Sequence, residues 1–164
     1  MPVDMLVNLY TLPENSCPAD IRICRVLPPE INRVIRWVGE NFGAGWQSEC
    51  TPALSAMPAS CYIAQRNGEI IGFACYDATA KGYFGPIGVL ESERGNHIGK
   101  ALLIKCLLGI REAGYGYAVI GWCDHAQEFY RRTVGAVAIP GSQPQDTVYS
   151  RMCRFSVHLE TAGE

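Results

Sequence analysis

The chain has no apolar run reaching the roughly 18 residues that a membrane span needs. Its start, Met-Pro-Val-Asp-Met, carries neither the basic region nor the apolar stretch of a secretory signal. No membrane association is expected, and the cytoplasm is the expected location. Basic charge is not in excess: 14 Lys and Arg stand against 16 Asp and Glu, for a net charge of -2. Nucleic acid is therefore not an expected partner. The eight cysteines, Cys17, Cys24, Cys50, Cys61, Cys75, Cys106, Cys123 and Cys153, contain no C-x-x-C pair. Several sit inside apolar stretches, which points to reduced, mostly buried thiols rather than a disulfide scaffold. His97, His125 and His158 are scattered, without the i, i+4 spacing of helical metal ligands, so no metal is expected. There is no internal repeat and no low-complexity tract. What remains is 164 residues of 48% hydrophobic content, enough for one packed domain and short for two.

Residues 1–19 hold Pro2, Pro13 and Pro18 without a sustained period and are expected to form an irregular arm. The domain proper is expected over 20–158, with 159–164 as a tail. Ile21, Ile23 and Val26 alternate as a strand. Pro28-Pro29-Glu30 then opens a helix with an apolar stripe of Ile31, Val34, Ile35 and Val38, ended by Gly43 and Gly45. A second short helix is expected over 46–57. Strands over 61–65 and 69–76, joined at Arg66-Asn67-Gly68, form a hairpin. Further strands are expected over 83–89, 117–122, 137–139 and 148–155, with helices over 98–113 and 126–133. The helix from Ile98 is apolar nearly all round, which calls for deep burial, the simpler expectation, or for sharing in a homodimer. This order implies an α+β (mixed α/β) domain with helices on both faces of a mixed sheet.

Residues 87–103 read as a strand that runs through a short Arg/Gly turn straight into the apolar helix. Gly95 and Gly99 let backbone approach a ligand closely. The N–H groups of such a turn lack internal partners, and the positive helix end favours phosphate. A diphosphate-bearing cofactor suits the turn. Gly95-Asn96-His97-Ile98-Gly99-Lys100-Ala101 has three residues between its glycines where a P-loop has four, and Ala101 where that loop has its magnesium-binding hydroxyl. A dinucleotide-binding fingerprint is not met either.

The turn does resemble the central motif of the GNAT superfamily of acetyl-CoA-dependent N-acetyltransferases, Arg/Gln-x-x-Gly-x-Gly/Ala. Arg94, His97 and Gly99 hold its defined positions, with His97 in place of the middle glycine and Glu91 where proline is common. Ile87-Gly88-Val89 resembles the family's cofactor-pairing strand. Ala126-Gln127-Glu128-Phe129-Tyr130 followed by Gly135 resembles its second signature. The likeness runs from about residue 61 to 139. It implies a central, mostly antiparallel sheet of six to seven strands. It also implies acetyl-CoA as cosubstrate, with pyrophosphate held by N–H groups across Gly95, Asn96, His97, Ile98, Gly99 and Lys100 beside Arg94, and the pantetheine arm paired to Gly88 and Val89. A small-molecule primary amine would be the acceptor.

The same resemblance makes Tyr130 the expected proton donor to the departing thiolate, although a tyrosine beside Phe129 on an amphipathic helix is also an ordinary packing residue. An amine must lose a proton before it attacks. Glu49 is the preferred base or acceptor anchor, with Asp124 and His125 the alternatives. Asp124 has a plainer role as the N-cap of the helix that begins at Ala126, and Glu49 as a solvated helix carboxylate. Trp46, Tyr76, Tyr83, Phe84 and Trp122 are candidate walls of an acceptor cleft, or simply core aromatics. Direct transfer is expected, with an acyl-Cys123 intermediate the lesser alternative. A CoA-binding regulatory or interaction module without useful turnover is the competing class of function.

Overall fold

The computed structural model describes residues 1–153. The expected mixed sheet is present, and among these residues it has seven strands in the order β2-β3-β4-β5-β6-β1-β7. These are β1 Val3–Asn8, β2 Arg22–Arg25, β3 Cys61–Arg66, β4 Glu69–Tyr76, β5 Tyr83–Val89, β6 Tyr117–Cys123 and β7 Val137–Ala138. Of these, β5 and β6 pair in parallel, and the other pairings are antiparallel. The helices are α1 Ile31–Phe42, α2 Ala44–Ser55, α3 Ile98–Glu112 and α4 Gln127–Val134.

Local chemistry accounts for the elements. Asn67 and Gly68 both take positive φ, 52° and 80°, which is the two-residue turn that closes a twisted hairpin without splaying its strands. Pro28–Glu30 forms a 3-10 entry to α1, and Gly43 stops that helix at φ 98°, its N–H donating to the Gly39 carbonyl at 3.1 Å. The second helix begins at once, so Gly45 lies within α2 rather than closing α1.

Helices cover both faces. On one, α3 buries Ile98, Leu102, Leu103, Ile104, Leu107 and Ile110 against the sheet. Burial within the chain thus accounts for its apolar circumference. On the other, Val34, Val38, Cys50 and Leu54 of α1 and α2 pack on Ile63, Phe73 and Cys75. Five of the cysteines are buried, and all eight are free thiols. Among the described residues no helix is long and apolar enough to cross a membrane, and no group of three His, Cys, Asp or Glu could hold a metal ion.

Two expectations need correction. Residues 1–19 are not wholly an irregular arm, because Val3–Asn8 inserts between β6 and β7, with Leu6 opposite both Val119 and Val137. Met5, Val7 and Leu9 alternate into the core, each fully buried, and that burial outweighs the neighbouring prolines. Nor is there a strand at 148: Val148–Arg151 is a short 3-10 helix, and the rest of that expected strand beyond 153 lies outside the described residues, as do the expected end of the domain at 158 and the tail 159–164.

Gly109 shows how closely α3 meets the sheet. A Cβ there would stand 2.8 Å from the ring of Tyr76, which is itself buried and whose hydroxyl accepts a hydrogen bond from Arg25 at 2.9 Å. Replacing a helical glycine by alanine ordinarily gains about 1 kcal/mol, but overpacking a tight core costs about 1–3 kcal/mol. Gly109→Ala is expected to lower stability by about 1 kcal/mol; a rise in the denaturation midpoint would show that Tyr76 yields.

Candidate functional site

The site begins where β5 leaves β6. The parallel ladder joins Tyr83 to Val119 and Phe84 to Ile120 and goes no further. Against β4, the pairs Ala74↔Ile87 and Tyr76↔Phe84 leave one extra residue on β5, at Gly85-Pro86. Gly85 takes φ 117° there. A bulge of this kind bends its strand and re-aims the residues on its far side. Past the bulge, the Leu90 N–H donates to Ile71 of β4 at 3.0 Å. By the alternation of a strand, the backbone groups of Ile87 and Val89 therefore face away from β4, into the gap that β6 has vacated.

The gap opens on a cleft of about 1630 Å³. Its floor is aromatic: Phe42 and Trp46, with ring centroids 5.4 Å apart, lie beside Phe73. A Cβ on Gly88 would come within 2.6 Å of the Phe42 ring, so this glycine is required by packing, whatever else it serves. At the far end stands the Arg/Gly turn. Gly95 takes φ 87°. His97 caps α3 in the left-handed conformation, φ 62° and ψ 17°, so histidine keeps the geometry that glycine adopts freely. The Ala101 N–H donates to the His97 carbonyl at 3.1 Å. Among the described residues, no acceptor takes the N–H groups of residues 95–100. Around Gly99 the nearest atom to an added Cβ is 3.9 Å away, and around Gly95 there is none within 4 Å, so the cradle stays open.

The charges around this turn are arranged by Arg66. Its guanidinium donates to Glu93 at 2.5 Å and to Asp20 at 2.8 Å, tying the residue before Arg94 to the β3–β4 hairpin and the loop before β2. On the opposite wall Glu128 is held by Arg131 and Arg132, each at 2.6 Å, and its carboxyl lies below the usual range because both guanidinia donate to it. Two of the carboxylates facing the cleft are thus neutralised locally.

Tyr130 lies in the cleft wall, its ring 5.2 Å from Phe129 and 6.2 Å from Phe84. The residue is buried, which pushes its hydroxyl above the ordinary tyrosine range and keeps it protonated at neutral pH. Among the described residues the hydroxyl makes no hydrogen bond, and Tyr130 is one of the residues lining the cleft.

Glu49 is elsewhere. It lines a second cleft, of about 510 Å³, with Ser48, Thr79, Trp122, Tyr149 and Arg151. The Thr79 hydroxyl donates to its carboxylate. Burial raises its pKa above 4.5, more than that hydrogen bond lowers it. Trp122 holds a left-handed backbone, φ 51°, with its N–H donating to the buried Asp4 carboxylate at 2.9 Å. The Tyr83 hydroxyl donates to the same carboxylate at 3.3 Å.

Of the residues singled out in the sequence, Gly88, Val89, Arg94, Gly95, His97, Ile98, Gly99, Lys100 and Tyr130 all line the large cleft, and Asn96 does not. Trp46 lines the large cleft and Trp122 the second, whereas Tyr76 and Phe84 are core. Asp124 is not an N-cap: the α4 cap is Ala126, without a side-chain bond, and Asp124 instead stands 3.5 Å from His125 at the surface. The Cys123 thiol is pushed up to about 12 by burial and donates to the Ile120 carbonyl at 3.4 Å, which leaves it no nucleophile at neutral pH. Sequence reasoning missed Arg66, Asp4, Tyr149 and Phe42; a lone acid inside the Val-Asp-Met-Leu-Val alternation was the one signal for Asp4.

The family model for the acetyltransferase (GNAT) family matches residues 31–136, and the chain belongs to that family. Solved structures of the same fold include a GCN5-related glucosamine N-acetyltransferase region of a fungal multi-domain GH3 β-N-acetylglucosaminidase, with a TM-score of 0.66 and 17% identity over 84% of this chain and 20% of that one. GCN5-related N-acetyltransferases from Sphaerobacter thermophilus (TM-score 0.65, 22% identity, 85% of this chain and 50% of that one) and Kribbella flavida (0.61, 19%, 84% and 54%) are similar too. The chain thus spans from about a fifth to about half of these structures. No curated protein matches it.

The raised pKa of Glu49 has a consequence for stability. The folded chain holds this proton to higher pH than the unfolded chain does, so the associated stability falls as pH rises from the ordinary carboxylate range through the raised value. Glu49→Gln is expected to raise Tm near neutral pH, with the gain vanishing below about pH 4. A gain that does not depend on pH would contradict the assignment.

Proposed function

We propose that the chain is an N-acetyltransferase that moves an acetyl group from acetyl-CoA to the primary amine of a small molecule by direct attack. The observation that carries this reading is the row of unpartnered N–H groups at residues 95–100, at the end of a cleft whose other end is the open edge of β5. The open space at Gly95 and Gly99 fits a pyrophosphate, and Arg94 and Lys100 add positive charge. Bound there, acetyl-CoA would supply the activated thioester.

The remaining roles fall to this chain's own groups. The Val89 N–H, turned into the gap, would hold the carbonyl oxygen as charge develops on it. Glu49, with its raised pKa, would take the proton of the incoming ammonium through water. The amine nitrogen would then bond to the carbonyl carbon; as the carbon–sulfur bond breaks, Tyr130 gives its proton to the sulfur, and the nitrogen gives up its second proton through water to the tyrosinate, which restores Tyr130. Burial keeps the Tyr130 hydroxyl protonated at neutral pH, and the residue lines the cleft.

Release of free thiol on mixing the protein with acetyl-CoA and a panel of amines tests the reading. CoA binding with no thiol released by any amine would favour the regulatory module instead. Tyr130→Phe is expected to lower kcat by about a hundredfold or more at unchanged CoA affinity, and an unchanged kcat would remove Tyr130 from the chemistry. kcat/KM should rise with pH through the raised pKa of Glu49, and Glu49→Gln should abolish that limb.

Arg66→Met releases Glu93 beside the turn. CoA affinity, measured by calorimetry, is expected to fall about three- to tenfold, because an uncompensated carboxylate repels an anion beside it even through screening solvent. Arg66→Lys should restore part of it.

A further inference from the structure

The second cleft has an unusual balance of charge. Among the described residues, Glu49 and Arg151 are the one carboxylic acid and the one guanidinium lining it, opposite in sign when ionised. They make no ion pair with each other among the described residues. The Glu49 carboxylate accepts a hydrogen bond from the Thr79 hydroxyl. Arg151 has no hydrogen-bond or ion-pair partner among the described residues and is exposed at the rim. Opposite charges that face one cavity without meeting leave each other's potential uncompensated, and a ligand bearing both signs completes both.

The aromatic part of the lining is firmly held. Trp122 and Tyr149 pack edge to face, with centroids 5.0 Å apart at 75°. Tyr149 lies directly against Gly121, where a Cβ would strike its hydroxyl. Trp122 keeps a positive φ that a bulky residue seldom adopts, and the Asp4 carboxylate on the neighbouring strand holds its N–H. Val148 and Met152 add apolar surface. At about 510 Å³ the cavity lies within the range of small-ligand sites.

We infer that the acceptor is an α-amino acid with an apolar or aromatic side chain. Its ammonium group lies at Glu49, its carboxylate is taken by the Arg151 guanidinium, and its side chain lies against Trp122 and Tyr149. A planar guanidinium matches a carboxylate with two parallel hydrogen bonds. An amine that lacks the carboxylate leaves Arg151 unanswered. This inference rests on the transferase reading above, since it assigns that reaction its acceptor.

The test compares L-phenylalanine and L-leucine with phenethylamine and isopentylamine, which lack only the carboxylate. Two readouts are taken: kcat/KM for thiol release, and calorimetric Kd for each compound with the CoA-loaded protein. The amino acids are expected to exceed their matched amines by about tenfold or more in both. Arg151→Met is expected to bring that ratio to within about twofold, with CoA binding as the check that the variant is folded. Equal or reversed preference in the unaltered chain overturns the inference, and so does a preference that Arg151→Met leaves intact. Transfer to all amines alike would sink the acceptor assignment and leave the transferase reading standing, whereas absence of CoA binding would remove the transferase reading itself.

Discussion

The parting of β5 from β6 is the constraint on which the rest of this molecule depends. Two parallel pairs hold the strands together at Tyr83 and Phe84; then one extra residue at Gly85-Pro86 bends β5 away. Continued pairing would have consumed the edge of Ile87 and Val89 and filled the large cleft with backbone. Neither half of the sheet is lost, because β5 remains paired to β4 and β6 to β1. The opening is therefore a property of register, and it is stabilised by the same ladders that make the sheet.

Each face of the sheet serves this opening differently. The α3 face supplies a helix whose first turn presents N–H groups to the cleft while its body forms the larger core. The α1–α2 face supplies the aromatic floor, where Phe42 presses on Gly88. Charge is added last. Arg66 binds Glu93 and Asp20, and Arg131 and Arg132 bind Glu128, so two of the acidic groups lining the cleft are already answered within the protein. The second cleft differs: Glu49 and Arg151 line it without pairing with each other among the described residues, beside the rings of Trp122 and Tyr149.

Much of this was legible from residue order. The strand over 83–89 and the helix starting at Ile98 fall where periodicity placed them, because long apolar patterns and an Arg/Gly turn are local signals. The cleft residues were legible for the same reason, since backbone N–H groups at a helix start arise from the turn itself. What could not be read depends on contacts distant along the chain. Val3–Asn8 alternates clearly, but only its insertion between β6 and β7 makes it a strand. Arg66 appeared as a hairpin residue, and nothing in its neighbourhood points to Glu93, 27 positions away. Val148–Arg151 has the composition of a strand but forms a 3-10 helix, and β7, two residues long, is the last strand of the sheet on that side among the described residues. The separation of Glu49 from Tyr130 into two clefts is a fact of packing to which no spacing pointed.

The insertion of β1 has a bearing on how the chain reaches its native state. Asp4 and Trp122 are 118 positions apart, so a ribosome that has released β1 must extend the chain as far as β6 before either neighbour of that strand exists. Until then a strand whose Met5 and Val7 are fully buried in the native state has nowhere to dock. Assembly is consequently governed by a late, long-range closure, and nascent chains arrested before residue 117 are the species most in need of a chaperone.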